Sequence, residues 1–498
     1  MQPDPSNQKF NRSQLIRQSV VSLDQILYSL AQTPNGLRLM VQAAPHDFRL
    51  TLFDGQKTSF GKETLLSASL TAENAEALRT QLPWLKPQTL GLKTSAGMGD
   101  RLGLATPGHV RAIRKMDGKI APIFTQQSIR ENTRTGRTPQ QVMDDAMWGL
   151  FQENWRDPFG ADADHLKSTQ DIDVCLKAGY TFFTIDPGEF VDNRAETADL
   201  KSLRNYAQDL PAELQVENTG LLNQTINAEH LTITFDEPTL LKAMVKYGKA
   251  VWHVHQMYQH LIGKAGARPV ELEVSVDETD NPTSHAEHAY IAHELKRFGV
   301  EWVSLAPRFV GRFEKGVDYI GDLADFEKDV SGHAAIARTF GPYKISLHSG
   351  SDKFSIYKIA AQATQGLVHL KTAGTSYLEA LRTLADLDPL FFQEIYKFCR
   401  DHFEEDKVSY HVSALLSRAP LPSEVKNWAT LLDDFDAREI LHVTFGSVLK
   451  EKSSDGNYQF FDRLMRMLKD NPDAYARNIE QHFLRHLTPF IEKENFQK

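Results

Sequence analysis

Cysteine is almost missing from this 498-residue chain: only Cys175 and Cys399 occur. Two distant thiols offer no CxxC metal spacing and suit a reducing compartment. Long apolar runs are missing too, so no segment reads as membrane-spanning. The polar stretch 1–18, with Pro3, Pro5 and Asn7, has no apolar core of signal-peptide length. A cytoplasmic protein with no membrane partner is expected. Basic residues are not in excess. The formal charge is −9, which argues against a nucleic-acid partner. A small anionic substrate remains open, because local Arg and Lys can still line a pocket. Nucleotide loops are absent: GxxxxGK[ST] does not occur, and Gly97, Gly99, Gly103 and Gly108 lack the Rossmann spacing after a clear strand. No GxSxG elbow occurs either.

What is there is ordinary globular usage, 41% hydrophobic and 24% charged. The length suits one large barrel with extra segments, or two to three ordinary domains, and it can bury a core without disulfides. Residues 1–90 read as an N-terminal α+β segment, with a helix over 13–31 and strands over 48–53 and 65–70. Residues 91–109, rich in glycine and small side chains, read as a tight ordered loop with room for a further strand. From about residue 120, short strand-like runs alternate with longer helical segments, as βα units on a parallel sheet do. The runs are 122–127, 161–166, 181–186, 231–236, 270–277, 300–306, 344–348 and 367–371, the second of which also reads as a loop. Helices are expected over 140–153, 238–262, 286–297 and 355–364. Eight runs predict an α/β fold, a (β/α)8 TIM-type barrel over 91–374. Residues 375–498 read as a helical extension packed on it.

Successive strand residues point to opposite faces. In 270–277, Val270, Leu272, Val274 and Val276 share one face, and Glu271, Glu273, Ser275 and Asp277 share the other. Thr232, Thr234 and Asp236 oppose Leu231, Ile233 and Phe235 in the same way. Thr184 with Asp186, Ser346 with His348, and His369 with Lys371 repeat the pattern. In a barrel the outer face packs on helices, so these polar sets point to the axis. Buried charge is unfavourable unless paired or bound to metal, so such a concentration marks a site. An antiparallel sheet with one wet face gives the same alternation; the long helical segments between the runs favour the barrel.

Barrel sites lie at the C-terminal strand ends. The candidates there are Gln127, Asp164, His165, Asp186, Asp236, Asp277, Arg308, His348, His369 and Lys371, with Glu273 deeper. His165 and His348 at strand exits, among carboxylates, suit a catalytic divalent metal. His285 and His288, one helical turn apart, can chelate, but they also read as a solvated helix start. His253 and His255 do not share a helix face. Arg130, Arg134 and Arg137 read equally as a carboxylate-binding group or as a charged loop. Asp164 and His165, being adjacent, reach one site only if their strand ends or bulges there.

Several strings carry a resemblance: GDRLGLATPGH (99–109), QQSIRENTRTGRTP (126–139), GADADHLK (160–167) and AGYTFFTIDPGEFVD (178–192). VDET (276–279), FEKGVDYIGD (313–322) and SLHSGSDKFSIY (346–357) add to it. Together they resemble the tagaturonate epimerase family from about residue 90 to past 380. That family interconverts tagaturonate and fructuronate in hexuronate catabolism with a divalent metal. The resemblance therefore implies an isomerase that takes a small keto-sugar acid and holds a divalent cation, whose identity the sequence leaves open among ions such as Zn, Mn, Ni and Co. It implies Asp164 as proton acceptor and Glu273 as proton donor. It also implies His165 and His348 as metal ligands, with Glu314 as the third and Asp318 as its substitute. Gln127, Arg130, Asp186, Asp277, Arg308 and Lys371 are the expected substrate-binding residues.

The two epimers differ at a hydroxyl carbon β to the ketone, whose hydrogen is not acidic. Retro-aldol cleavage and re-closure can invert it, and so can proton transfers through enediols; the residues leave both routes open, as they do the oligomeric state. The enzymatic rivals are a metal-dependent epimerase, aldolase or isomerase of neutral ketoses such as tagatose and fructose. The non-enzymatic rival is a sugar-acid binding or sensor protein.

Overall fold

The structure, a computed structural model, describes residues 14–491 except 35 and 373. Most of the polar N-terminal stretch therefore lies outside the described residues. The chain forms two compact units. One comprises the described part of Met1–Lys86 with Met143–Asp157; the other comprises Pro87–Val142 and the described part of Pro158–Lys498.

The first unit holds β1 (Val21–Leu23), β2 (Ile26–Thr33), β3 (Gly36–Ala43), β4 (Gly55–Phe60) and β5 (Glu63–Ala68). They form an antiparallel sheet in the order β1-β2-β3-β5-β4. The helix expected over 13–31 is instead the β1–β2 hairpin, in which Leu23 pairs with Ile26. Asp24 and Gln25 take positive φ, 46° and 65°, so the chain reverses where a helix would continue. The run 48–53 is a short 3-10 turn rather than a strand, begun where Asp47 accepts the Arg49 N–H at 2.9 Å. One helix, Ala72–Gln81, follows the sheet, its first turn capped by Thr71.

The second unit holds β6 (Ser95–Met98), β7 (Ala121–Ser128), β8 (Gly160–Leu166) and β9 (Phe182–Ile185). The two-stranded pair β10 (Thr225–Ala228) and β11 (Leu231–Thr234) comes next. It is followed by β12 (Glu271–Ser275), β13 (Ser304–Ala306), β14 (Lys344–Leu347) and β15 (Val368–Thr372). All but β10 and β11 are parallel neighbours and close into a barrel, β12-β13-β14-β15-β6-β7-β8-β9. Helices flank the strands, and the described chain after β15 carries helices, with an irregular stretch over 410–427 and one isolated bridge. The α/β barrel class, with an N-terminal α+β part and C-terminal helices, is thus the fold.

Two strands differ from expectation. The run 231–236 belongs to the β10–β11 hairpin, whose alternation comes from one wet face, and Asp236 caps helix Glu237–Ala265 through Thr239 N–H at 3.0 Å. Its place in the barrel is taken by β6, SAGM, hidden in the small-residue stretch. Small residues are needed there: a Cβ on Gly97 would lie 3.0 Å from Gln126 Oε1, inside the barrel. Without branched or aromatic side chains the segment carries no strand signal.

C-terminal helix Pro472–Leu487 lies against Thr106–Arg114 at Gly108, where an added Cβ would come 2.6 Å from Ile479 Cβ and 2.7 Å from the Ala476 carbonyl. Gly108→Val is expected to destabilise the protein by about 1–3 kcal/mol, read from the urea midpoint. An unchanged midpoint would mean that the two helices do not approach this closely.

Candidate active site

The polar faces of the strands meet in layers along the barrel axis. Lowest are Ser95, Lys344 and His369, with Ser95 Oγ 2.9 Å from His369 Nδ1 and 3.0 Å from Lys344 Nζ. Above them the buried Lys371 ammonium stands 2.9 Å from Asp162 Oδ2, 2.6 Å from Asp164 Oδ1 and 2.8 Å from Glu273 Oε1. It also donates to Thr184 Oγ1, which lies 3.0 Å from Asp162 Oδ1 and 3.1 Å from Glu273 Oε1. Gln126 Nε2 donates to Asp164 Oδ2 at 3.1 Å.

At the mouth are the two strand-exit imidazoles, their ring centres 5.0 Å apart. His348 Nε2 lies 2.7 Å from Glu273 Oε1 and its Nδ1 3.1 Å from Asp277 Oδ1. His165 Nδ1 lies 3.3 Å from Asp186 Oδ2, and its Nε2 3.8 Å from Asp164 Oδ1. A bulge makes the neighbours Asp164 and His165 share this mouth. The β8–β9 register shifts between Ala163 and Leu166, and His165 has φ 52°.

Charge decides the electrostatics. Burial opposes the Lys371 ammonium, but Asp162, Asp164 and Glu273 hold its pKa well above the usual value. Burial likewise opposes the Glu273 and Asp164 carboxylates. Lys371 overcomes this for both, with help from His348 at each and from His165 at Asp164, so both stay lowered. Asp162 is the exception. Burial pushes it up to about 7 against the pull of Lys371, and Asp164 and Glu273 add to the push. Burial also opposes charge on the imidazoles. The carboxylates outweigh it and raise His165 to about 10 through Asp164, Asp186 and Asp277, and His348 through Asp277 and Glu273. Five carboxyl groups, Asp162, Asp164, Asp186, Glu273 and Asp277, thus stand against Lys371 and the two imidazoles.

That surplus and the donor types fit a divalent metal. One ligand atom each from His165, Asp277 and His348 lies within 4.8 Å of the other two. Two imidazoles and a carboxylate suit Zn-like ions and leave positions open for substrate. Glu314 stands elsewhere: its carboxylate accepts from Ser413 N–H at 2.8 Å and Ser413 Oγ at 2.7 Å and lies 3.4 Å from Arg312. Asp318 accepts from Ser355.

The other expected residues divide. Asp164, His165, Asp186, Glu273, Asp277, His348 and Lys371 come together. Gln127 faces away, bonded to Thr135 and Arg137, and Gln126 takes the inward position. The β7–β8 register shifts between Ile123 and Thr125, which upsets simple alternation in that strand. Arg308 anchors a loop by its backbone N–H to Thr283 and does not line the pocket. Arg130 does line it, paired with Glu278 at 2.9 Å. Sequence reasoning missed Asp162, two residues before Asp164 on the same strand face; the DAD spacing was the available signal. Arg101, Lys315 and Tyr410 also line the pocket, from loops that have no periodic pattern. The pocket encloses about 570 Å³, open solvent included, within the range of small-molecule sites.

A closed parallel barrel that gathers acids, an ammonium and imidazoles at the C-terminal strand ends defines a barrel enzyme acting on a small polar substrate. Comparison with known proteins narrows this. The tagaturonate epimerase family model matches residues 16–490. The tagaturonate/fructuronate epimerase of Thermotoga maritima is 43% identical over 466 residues, 93% of this chain and 94% of that protein. Crystal structures of the fructuronate-tagaturonate epimerase of Cohnella laeviribosi superpose with TM-scores of 0.89 (native) and 0.90 (one glycerol bound), at 35% identity, covering 96% of both chains. The chain belongs to the tagaturonate epimerase family.

The inward place of Gln126 yields a direct contrast. A hydrogen bond to a charged group is worth about 1.5–3 kcal/mol, so Gln126→Ala is expected to lower kcat/KM by roughly 10–150-fold. Gln127→Ala is expected to stay within about threefold. Equal losses in steady-state assays would contradict the register.

Proposed function

We propose that this protein interconverts tagaturonate and fructuronate, inverting a hydroxyl carbon β to the ketone with a divalent cation held by His165, His348 and Asp277. The observation that carries the reading is the Lys371 ammonium, within 2.6–2.8 Å of both Asp164 and Glu273 and beside the two imidazoles. When bound, the cation supplies Lewis acidity, polarising the ketone and stabilising negative charge on its oxygen.

This chain's own residues handle the protons. Asp164, ionised and fixed by Gln126 and Lys371, takes the β-hydroxyl proton as general base. The Cα–Cβ bond then breaks to give an enediolate and an aldehyde. Rotation of the aldehyde and re-formation of the bond leave an alkoxide on the opposite face. As that alkoxide forms, Glu273 passes a proton to it while taking one from Lys371, and Asp164 re-protonates Lys371. No proton is gained or lost over the cycle, and the shared ammonium resets both carboxylates. A β-hydroxy ketone lacks an acidic hydrogen at the inverted carbon, which favours this route over direct abstraction there.

The uronate carboxylate is assigned to Lys315. Its Nζ donates to Ser349 Oγ at 2.6 Å and pairs with no carboxylate among the described residues. The neighbouring cations are engaged: Arg101 with Glu131 at 2.6 Å, Arg130 with Glu278, and Arg134 with Tyr410. Two buried free cysteines support a reducing, cytoplasmic setting.

The test follows turnover of tagaturonate by NMR. Fructuronate is expected to appear, to stop appearing after chelation and to return with added metal. Glu273→Gln should lower kcat by at least ~100-fold, within the usual contribution of a proton-transferring group. Full turnover in excess chelator, or by Glu273→Gln, would reject the proposal.

A further inference from the structure

A second group of imidazoles lies away from the barrel mouth, between helices His285–Arg297 and Leu323–Phe340. Helical spacing builds it, because His285 and His288 are one turn apart on the first helix and Asp329 and His333 one turn apart on the second. One ligand atom each from His285, Asp329 and His333 lies within 4.8 Å of the others.

The carboxylate is aimed. Asp329 Oδ2 accepts the Val310 N–H at 3.0 Å, and Oδ1 faces the two imidazoles. His333 Nε2 is 3.5 Å and His285 Nε2 3.6 Å from that oxygen, both longer than a good hydrogen bond. His285 Nε2 also stands 3.1 Å from the Asp329 main-chain oxygen. His333 is fully buried, and its Nε2 has no hydrogen-bond partner among the described residues.

The other side of His333 explains how its ring is held. Its Nδ1 is 2.9 Å from His288 Nδ1, and His288 Nε2 is 2.8 Å from the Tyr343 hydroxyl. With His333 donating to His288 and His288 donating to Tyr343, a lone pair is left on His333 Nε2, turned toward Asp329 and His285. Metal-bound imidazoles are commonly oriented in this manner, by the N–H on their far nitrogen. Room is provided by Gly332, where an added Cβ would overlap the His285 ring. The His285 side chain is 25% exposed, which gives an ion a way in.

We propose that His285, Asp329 and His333 form a second divalent-cation site of zinc type, structural rather than catalytic. Two imidazoles and one carboxylate with water in the open position match that ion class. Such an ion joins the two helices and, through Asp329, the Val310 segment that leads on to Lys315.

The test is zinc stoichiometry on the full chain, stripped with chelator, reloaded with Zn2+, desalted and measured by mass spectrometry of the metal. His285→Gln and Asp329→Asn are each expected to hold one zinc fewer per chain than the unaltered protein, with turnover unchanged. His348→Gln should lose a different zinc, so that the double variant with His285→Gln loses both. Melting in excess chelator separates metal loss from misfolding: a variant that melts with the unaltered protein there has kept the fold, and two variants guard against one failing. The same zinc content in His285→Gln, in Asp329→Asn and in the unaltered protein would overturn the site. So would an unaltered protein whose whole zinc content disappears in His348→Gln.

Discussion

One ammonium surrounded by three buried carboxylates governs the architecture of this barrel. Lys371 sits within 2.9 Å of Asp162, Asp164 and Glu273, which come from β8 and β12, while Lys371 itself comes from β15. Removing one partner of a buried charge network is strongly destabilising because uncompensated charge stays behind. The arrangement therefore demands that three strands keep one register, and it keeps the acid and base of the proposed reaction apart yet linked by a shared proton. Lys371 cannot balance all the acid alone. Asp186 and Asp277 add negative charge at the mouth beside His165 and His348, a donor set that fits the cation of the proposed reaction.

The second unit turns this interior into a site by backbone irregularity. Regular strands would send Asp164 and His165 to opposite faces. The bulge in β8 and the positive φ at His165 bring both to the mouth. Bulges cluster beside active sites for this reason, since they re-aim single side chains. The shift in β7 does the same for Gln126, and without it Asp164, the proposed base, would lack its amide partner.

Much of this was legible in the sequence because it rests on period-two alternation. Glu273, Asp277, His348 and Lys371 stand where strand polarity puts them, and of the two ways for Asp164 and His165 to share a site, a strand end or a bulge, the chain takes the bulge. The failures have physical causes. β6 is made of SAGM, small because Gln126 fills the space beside it, so it carried no strand signal. β11 alternates because one side is wet, which is the same pattern as a barrel strand. Gln127 for Gln126 is a one-residue error made by a bulge, which alternation cannot foresee. The helix over 13–31 failed because left-handed Asp24 and Gln25 turn the chain back. Glu314 and Arg308 sit in loops, where sequence spacing does not say which way a side chain turns. Lys315 and Tyr410 went unnoticed for the same reason.

The most direct measurement is anomalous diffraction from crystals of the protein loaded with Zn2+, collected at the zinc edge. The account predicts a peak at the barrel mouth, about 2.0–2.2 Å from a nitrogen of His165, a nitrogen of His348 and an oxygen of Asp277. A mouth with no zinc peak, or a zinc held there by Glu314 with Asp277 turned away, would contradict it.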